Sequence, residues 1–368
     1  MTAPKGRNTF GDESVDRLLT ELLAQVGLDA NDDLVRRLLV TTLDMDADDV
    51  DRLELKIASQ SLVEMHNAWK VFSPYRDRSK VTVFGSARTA PDHPDYAITQ
   101  AFSERMARKD WMIISGAGPG VMTAAIEGAG VENSFGVNIV LPFEQRAAEI
   151  IDGDPKLATF RYFFTRKLFF MKESDAFALA PGGFGTLDES FELLTLIQTG
   201  KSAPAPIVLL DHPGSNYWNS WERFVEEGLG GGGMINEADT SLYLHTHDPD
   251  EAVEYICHYY SCFHSLRYVG KRLVLRLRRA LGPAAIDQLN TEFGDMVVEG
   301  TIDAIEVTDT ERRDGDVPEL PRIAFRFDNR SFARLNQLIL RVNDLGGVEV
   351  ASSPGPMHEL EPESDDSI

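Results

Sequence analysis

Two cysteines in 368 residues are too few for a disulfide framework and point to a reducing compartment. Positive charge is scarce too: 36 Lys and Arg stand against 59 Asp and Glu, a formal net charge of −23. That balance lacks the basic stripe of general nucleic-acid binding, and it suits anionic membrane surfaces poorly. Long hydrophobic runs are missing as well. The uncharged stretch from Trp111 to Ile126 is broken by Gly116, Gly118, Pro119 and Gly120, whereas a spanning helix needs about 20 mostly apolar residues. The opening MTAPKGRNTFGDES has no apolar core of a signal peptide. The expectation is a cytoplasmic protein with neither nucleic acid nor membrane as partner. What the chain does have is 43% hydrophobic residues, enough for a sizeable core. Its length suggests two or three domains at roughly 100–200 residues each.

Residues 1–78 read as helical. Ser14 is placed to cap a helix carrying Val15, Leu18, Leu19, Leu22 and Leu23 at helical spacing. A second helix carries Leu34, Leu38 and Leu39, and a third opens in the acidic run from Asp44 to Asp51. That run lacks the glycine and glutamate of a calcium loop and reads as a solvated helix start. Residues 79–264 alternate short apolar strands with helices, which implies an α/β fold: a Rossmann-like, doubly wound parallel sheet covered on both faces. Ligands in such sheets bind beyond the carboxyl ends of the strands. Residues 265–350 read as a small α+β domain. In it Leu273, Leu275 and Leu277 alternate with Arg272, Arg276 and Arg278. Residues 351–368 form an acidic, Pro-containing tail expected to be disordered.

Several familiar sites are absent. Gly200-Lys201-Ser202 ends like a Walker A loop, but Thr195 stands where its first Gly belongs. Gly116 and Gly118 begin a dinucleotide fingerprint that Val121 breaks. No HExxH and no GxSxG occur. Cys257, His258, Cys262 and His264 lie close together without metal-ligand spacing and share an expected helix. His245 and His247 read as a strand edge before the Asp248-Pro249 helix start, with a ligand-flanking pair as the other reading.

Two Gly-rich turns remain, each between an expected strand and helix. Ser115-Gly-Ala-Gly-Pro-Gly-Val-Met122 would bring backbone N–H groups and a helix N-terminus toward an anion; a tight β–α turn is its other reading. Pro181-Gly-Gly-Phe-Gly-Thr-Leu-Asp-Glu189 offers three glycines and the Thr186 hydroxyl as a phosphate cradle. Its Thr186-x-x-Glu189 spacing also fits a capping box, in which Glu189 merely satisfies a backbone N–H. Between the turns lies Arg161-Tyr-Phe-Phe-Thr-Arg-Lys167. There Phe163, Phe164, Phe169 and Phe170 look like core, and Arg166 and Lys167 like solvated charges.

Taken together, these residues resemble the LOG (Lonely Guy) family of nucleotide phosphoribohydrolases, formerly labelled lysine decarboxylases. PGGFGTLDE is similar to the family's PGGxGTxxE signature, and Arg166-Lys167 to its Arg-Lys pair. GAGPGVM resembles its first Gly-rich turn, and Val83-Phe-Gly-Ser-Ala-Arg88 its opening strand and loop. Ala117 replaces a common Gly, and Thr123 stands where plant members have Gly. The resemblance covers about residues 79–264. It implies hydrolysis of the N-glycosidic bond of a nucleoside 5′-monophosphate, such as AMP or a cytokinin riboside monophosphate, to free base and ribose 5-phosphate. It implies Glu189 as the catalytic carboxylate and Arg166 as the residue that orients it or meets the leaving base. Gly182, Gly183, Gly185 and Thr186 would hold the phosphate, with Gly118 and Gly120 completing the cradle. Ser86, Arg88, Met122 and Lys167 would line sugar and base. No metal or redox cofactor is implied, and a homodimer or larger homo-oligomer is. The alternatives are a non-catalytic nucleotide or cofactor carrier on the same scaffold and a pyridoxal-phosphate decarboxylase. The basic run Arg267, Lys271, Arg272, Arg276, Arg278 and Arg279 reads as a solvated or subunit-facing strand, or as a site for a phosphorylated nucleotide effector.

Overall fold

The computed structural model describes residues 7–27, 31–142 and 147–347, so the expected acidic tail lies outside the described residues. The chain divides into two units, within residues 1–66 and 67–368. The first holds α1 (Glu13–Val26), α2 (Asp32–Ala47) and the start of α3 (Arg52–Phe72). Asp12, not Ser14, caps α1: it has extended backbone, and its carboxylate accepts the N–H groups of Ser14 and Val15. The acidic run opens α3 only with its last residue. Asp44 and Asp46 lie in the last turn of α2, and Asp51 caps α3 through the N–H groups of Leu53 and Glu54. Leu19 and Leu23 are buried in α1, while Leu18 and Leu22 are exposed.

The second unit is built on seven strands: β1 (Lys80–Phe84), β2 (Met112–Ser115), β3 (Ser134–Ile139), β4 (Leu157–Phe160), β5 (Ala176–Leu179), β6 (Ile207–Leu210) and β7 (Tyr243–Thr246). They form one sheet in the order β4-β3-β2-β1-β5-β6-β7, and every pairing in it is parallel. The intervening helices are α4 (Pro94–Arg108), α5 (Val121–Ala129), α6 (Phe163–Lys172), α7 (Phe184–Gln198), α8 (Tyr217–Arg223) and α9 (Pro249–Tyr259). The fold is thus the Rossmann-like, doubly wound sheet. Its central strands are buried throughout, which explains their continuous apolar sequences. Within this sheet, only β4 has no counterpart in the sequence reading. It is a four-residue edge strand, part-exposed, without a distinct apolar run.

The winding direction reverses between β1 and β5. The chain adds β2, β3 and β4 on one side of β1, then returns to place β5 on the other. The loops after β1 and β5 diverge there and leave a crevice at their carboxyl ends.

Beyond α9 come β8 (Phe263–Val269), β9 (Arg272–Leu277), α10 (Pro283–Phe293), β10 (Val297–Ile305), α11 (Asp309–Asp314), β11 (Arg322–Phe327) and α12 (Phe332–Gly346). The strands form an antiparallel sheet in the order β10-β11-β9-β8. One hydrophobic core runs from Val81 and Ile113 in the parallel sheet to Leu275, Phe325 and Leu338. Helix α9 stops earlier than its sequence suggests, so Cys262 and His264 leave it. Asn343 explains the exit: its side-chain oxygen accepts the Cys262 and Phe263 N–H groups, and its amide donates to the Tyr259 carbonyl.

The alternation expected along β9 leaves Arg272 exposed but does not put Arg276 in water. Arg276 is fully buried, 2.9 Å from Glu311, with Asp316 as a second partner. Arg267 meets Asp314 and Asp316, and Arg278 and Arg279 donate to the carbonyls of Tyr260 and Gly347. The acids come from α11 and the turn after it, some 40 residues downstream of the basic run. Among the described residues, no helix is long and apolar enough to cross a membrane.

Candidate active site

The crevice at the switch point is a cleft of about 740 Å³. The loop after β1 supplies Ser86 and Arg88, the first Gly-rich turn supplies Gly118 and Met122, and α6 supplies Arg166. The second turn and α7 supply Gly182, Gly183, Gly185, Thr186 and Glu189. Ten of the twelve residues singled out in the sequence therefore share one cleft; Gly120 and Lys167 do not line it.

Gly120 acts from behind the wall. Its φ is +69°, and a Cβ there would stand 2.4 Å from the Ser86 carbonyl oxygen. This close approach lets Val121 N–H donate to the same carbonyl at 3.0 Å, joining the start of α5 to the β1 loop. Lys167 is occupied elsewhere: its ammonium is 2.8 Å from both Asp188 and Glu192. It anchors α6 to α7 and adds a positive charge near Glu189.

Helix α7 begins at Phe184, with Gly183 as its N-cap. Thr186 is therefore already its third helical residue, and the capping box with Glu189 does not form. Neither α7 nor α5 has a side-chain cap. Both helices thus direct unsatisfied N–H groups and the positive ends of their dipoles at the cleft. Gly183 and Gly185 have open space where a Cβ would stand and no positive φ. Internal packing does not ask for glycine at either place, and both leave open space beside the cleft. Gly182 differs, because a Cβ there would lie 2.1 Å from the Thr186 hydroxyl oxygen.

Freed from capping, Glu189 turns to the cleft. Its carboxylate is 3.8 Å from the Arg166 guanidinium, and both side chains are only about a tenth exposed. Burial pushes the Glu189 carboxyl up to about 7; Arg166 and Lys167 pull it down, while Asp188 and Glu192 add to the rise. Arg166 is held from three sides. It donates to the carbonyls of Val137 at 2.8 Å and Gly116 at 3.3 Å, and its guanidinium sits 4.9 Å from the Phe170 ring centre. Burial lowers its pKa from the ordinary arginine value, against the pull of Glu189. Reading Arg166 as a solvated helix charge was thus an error of context: β3 and the first Gly turn close over it.

Of the four phenylalanines expected in the core, Phe169 and Phe170 are buried. Phe163 and Phe164, in the first turn of α6, are about half exposed. Phe184, at 95% exposure, stands at the cleft mouth. Two polar lining residues lay outside every motif read in the sequence. Asn138 is a buried amide on β3 with no hydrogen-bond partner among the described residues. A polar residue inside the apolar strand FGVNIV was the signal for it. Tyr217, on α8, donates its hydroxyl to the Gly182 carbonyl at 2.6 Å and so braces the second turn.

Residues 120–256 match the family model described as possible lysine decarboxylase, a span that includes both Arg166 and Glu189. Two cytokinin riboside 5′-monophosphate phosphoribohydrolases of Arabidopsis thaliana are each 41% identical over 64 residues, 17% of this chain. The match spans less than a third of either relative, 29% and 28%. Among solved structures, the molybdenum cofactor carrier protein of Chlamydomonas reinhardtii is similar at 21% identity and a TM-score of 0.32. That similarity covers 48% of this chain and 94% of that one. The molybdenum cofactor binding protein of Rippkaea orientalis is similar at 18% identity and a TM-score of 0.35, over 48% of this chain and 94% of that one.

Proposed function

The chain belongs to the LOG family, and on that premise we propose that it hydrolyses the N-glycosidic bond of nucleoside 5′-monophosphates to free base and ribose 5-phosphate. One observation carries this reading: a buried Glu189 carboxylate with no hydrogen bond among the described residues faces the same cleft as two uncapped helix N-termini. The N-termini of α5 and α7, with the Thr186 hydroxyl, hold the 5′-phosphate. The sugar then lies against Glu189. Cleavage proceeds through an oxocarbenium-like state with positive charge on the ribose, which a carboxylate at that position stabilises. A carboxyl near 7 also suits removal of a proton from the attacking water at neutral pH.

Arg166 keeps Glu189 in place and carries positive charge toward the departing base. Arg88, exposed at the mouth and without a side-chain partner among the described residues, supplies a second cation to the nucleotide. Among the described residues no lysine lines the cleft, which speaks against a decarboxylase working through a lysine Schiff base there. The exposed Phe163, Phe164, Leu168 and Phe184 form the surface we assign to a second copy of the chain.

The test is a panel of AMP, GMP, CMP and a cytokinin riboside monophosphate, read as free base by chromatography. Base release that Glu189→Gln abolishes, with AMP binding kept, supports the proposal. A Glu189→Gln variant that cleaves AMP at the wild-type rate refutes the mechanism. Tight AMP binding without any base release assigns the cleft to a carrier instead.

A further inference from the structure

Beside the cleft, at the carboxyl ends of β6 and β7, three side chains converge that the proposed reaction does not use. Asp211 follows β6, His245 lies on β7, and His247 follows it. One ligand atom from each falls within 4.8 Å of the others. The Asp211 side chain is fully buried. Its Oδ1 is 3.3 Å from His245 Nε2 and 2.7 Å from His247 Nδ1, while its Oδ2 is buried with no hydrogen-bond partner. Among the described residues, no lysine or arginine pairs with this carboxylate.

The tautomer of His245 sharpens the problem. Its Nδ1 lies 2.8 Å from the Glu222 carboxylate on α8, an acceptor, so Nδ1 carries the hydrogen. In a neutral ring Nε2 then presents a lone pair, and it faces the Asp211 oxygen, another lone pair. That approach is stable only with a cation between the two. A second proton on His245 would meet the need but leave Asp211 Oδ2 buried and unpaired. A metal ion held by both oxygens of the carboxylate answers both.

We propose that Asp211, His245 and His247 bind a divalent transition-metal ion of the zinc class. Two imidazoles and a carboxylate are a ligand set such ions accept, with a remaining position for water. Zinc–ligand bonds of about 2.0–2.2 Å place tetrahedral donors roughly 3.3–3.5 Å apart. The Asp211–His245 separation already has that value, and His247, at 2.7 Å, need retreat by roughly 0.6–0.8 Å. Glu222 completes a carboxylate–histidine–metal relay that orients His245. His247 is partly exposed, which gives an entry path and lets its Nε2 keep the proton when Nδ1 binds. The nearby His93, Asp95 and His212 are a poorer set. His93 Nδ1 already accepts the Asp95 N–H, and Asp95 Oδ1 already accepts the His212 backbone N–H.

The experiment uses the full chain, stripped with a chelator and titrated with Co²⁺ and then Zn²⁺. The expected result is one Co²⁺ per chain with the visible absorbance of four- or five-coordinate cobalt, displaced by Zn²⁺. His247→Ala and Asp211→Asn should lose that band, and Glu222→Gln should weaken binding about 10–100-fold. Zn²⁺ should raise the melting temperature of the wild type but not of His247→Ala, whose part-exposed side chain makes it the safer variant to fold. Absence of stoichiometric binding, or equal affinity in His247→Ala, overturns the proposal. A metal-free wild type whose His245 titrates as an imidazolium assigns the site to a proton. None of these readouts depends on base release, so this site and the cleft stand or fall separately.

Discussion

The Arg166 guanidinium and the Glu189 carboxylate stand 3.8 Å apart, close enough to attract and too far to share a hydrogen bond. Two backbone carbonyls fix Arg166, so it cannot close the gap. Glu189 is thereby held near a positive charge without being neutralised by it, and burial keeps its affinity for protons high. A base that must capture a proton from water benefits from that arrangement.

The pH dependence follows directly. If ionised Glu189 does the work, kcat/KM should rise about tenfold per pH unit on the acid side and level off near pH 7. Lys167 lowers the Glu189 pKa and also neutralises Asp188 and Glu192, which raise it. Lys167→Met should therefore move the acid limb to higher pH. A limb that stays in place would remove Glu189 as its origin.

Stability should carry the same signature. Glu189 titrates near 7 in the folded chain, against an ordinary 4.5. Between those values the folded chain retains a proton that the unfolded chain has released, so this group's contribution falls as pH rises. Glu189→Gln lacks that penalty. Its stability relative to the wild type should therefore improve by up to about 3 kcal/mol from pH 4 to pH 8. Denaturant melts at several pH values measure it, and a constant difference would contradict the assigned shift.

Gly120→Ala tests how the cleft is assembled. The added methyl meets the Ser86 carbonyl at 2.4 Å, and backbone cannot swing aside as a side chain can. With its positive φ as well, the substitution should cost about 1–3 kcal/mol. By displacing the start of α5, it should raise KM for the nucleotide more than it lowers kcat. Unchanged KM would detach α5 from phosphate binding.

Arg276→Met tests the buried charge network of the antiparallel sheet. It leaves Glu311 and Asp316 without their central cation, a loss of about 3–5 kcal/mol for a buried pair. Unfolding by denaturant should show it, with the kinetics of the surviving folded fraction unaltered. Wild-type stability would mean that Arg322, 3.4 Å from Glu311, suffices alone.

Much of this was legible in the chain because it is local. Buried parallel strands need runs such as Met112-Ile-Ile-Ser115, and β–α turns near a ligand need glycine, so strand, turn and helix follow one another in the sequence as in space. Edge strand β4 escaped notice because partial exposure removes the apolar run. The capping-box reading of Glu189 failed for a related reason: its spacing fits a helix that begins at Thr186, and only the start of α7 at Phe184 rules it out.

By itself, then, the sequence determined the alternating fold, the two glycine turns and the family likeness, all properties of residues within a few positions of one another. Tertiary structure decided which distant groups meet. The reversal of winding between β1 and β5 brings Arg166 to Glu189 across the switch point. Neighbouring β6 and β7 set Asp211 beside His245 and His247, 34 and 36 residues on. The fold of β8 to β11 buries Arg276 among acids. Whether a charge is solvated, paired or left facing a cleft depends on what strand order packs against it, and spacing along the chain carries no record of that.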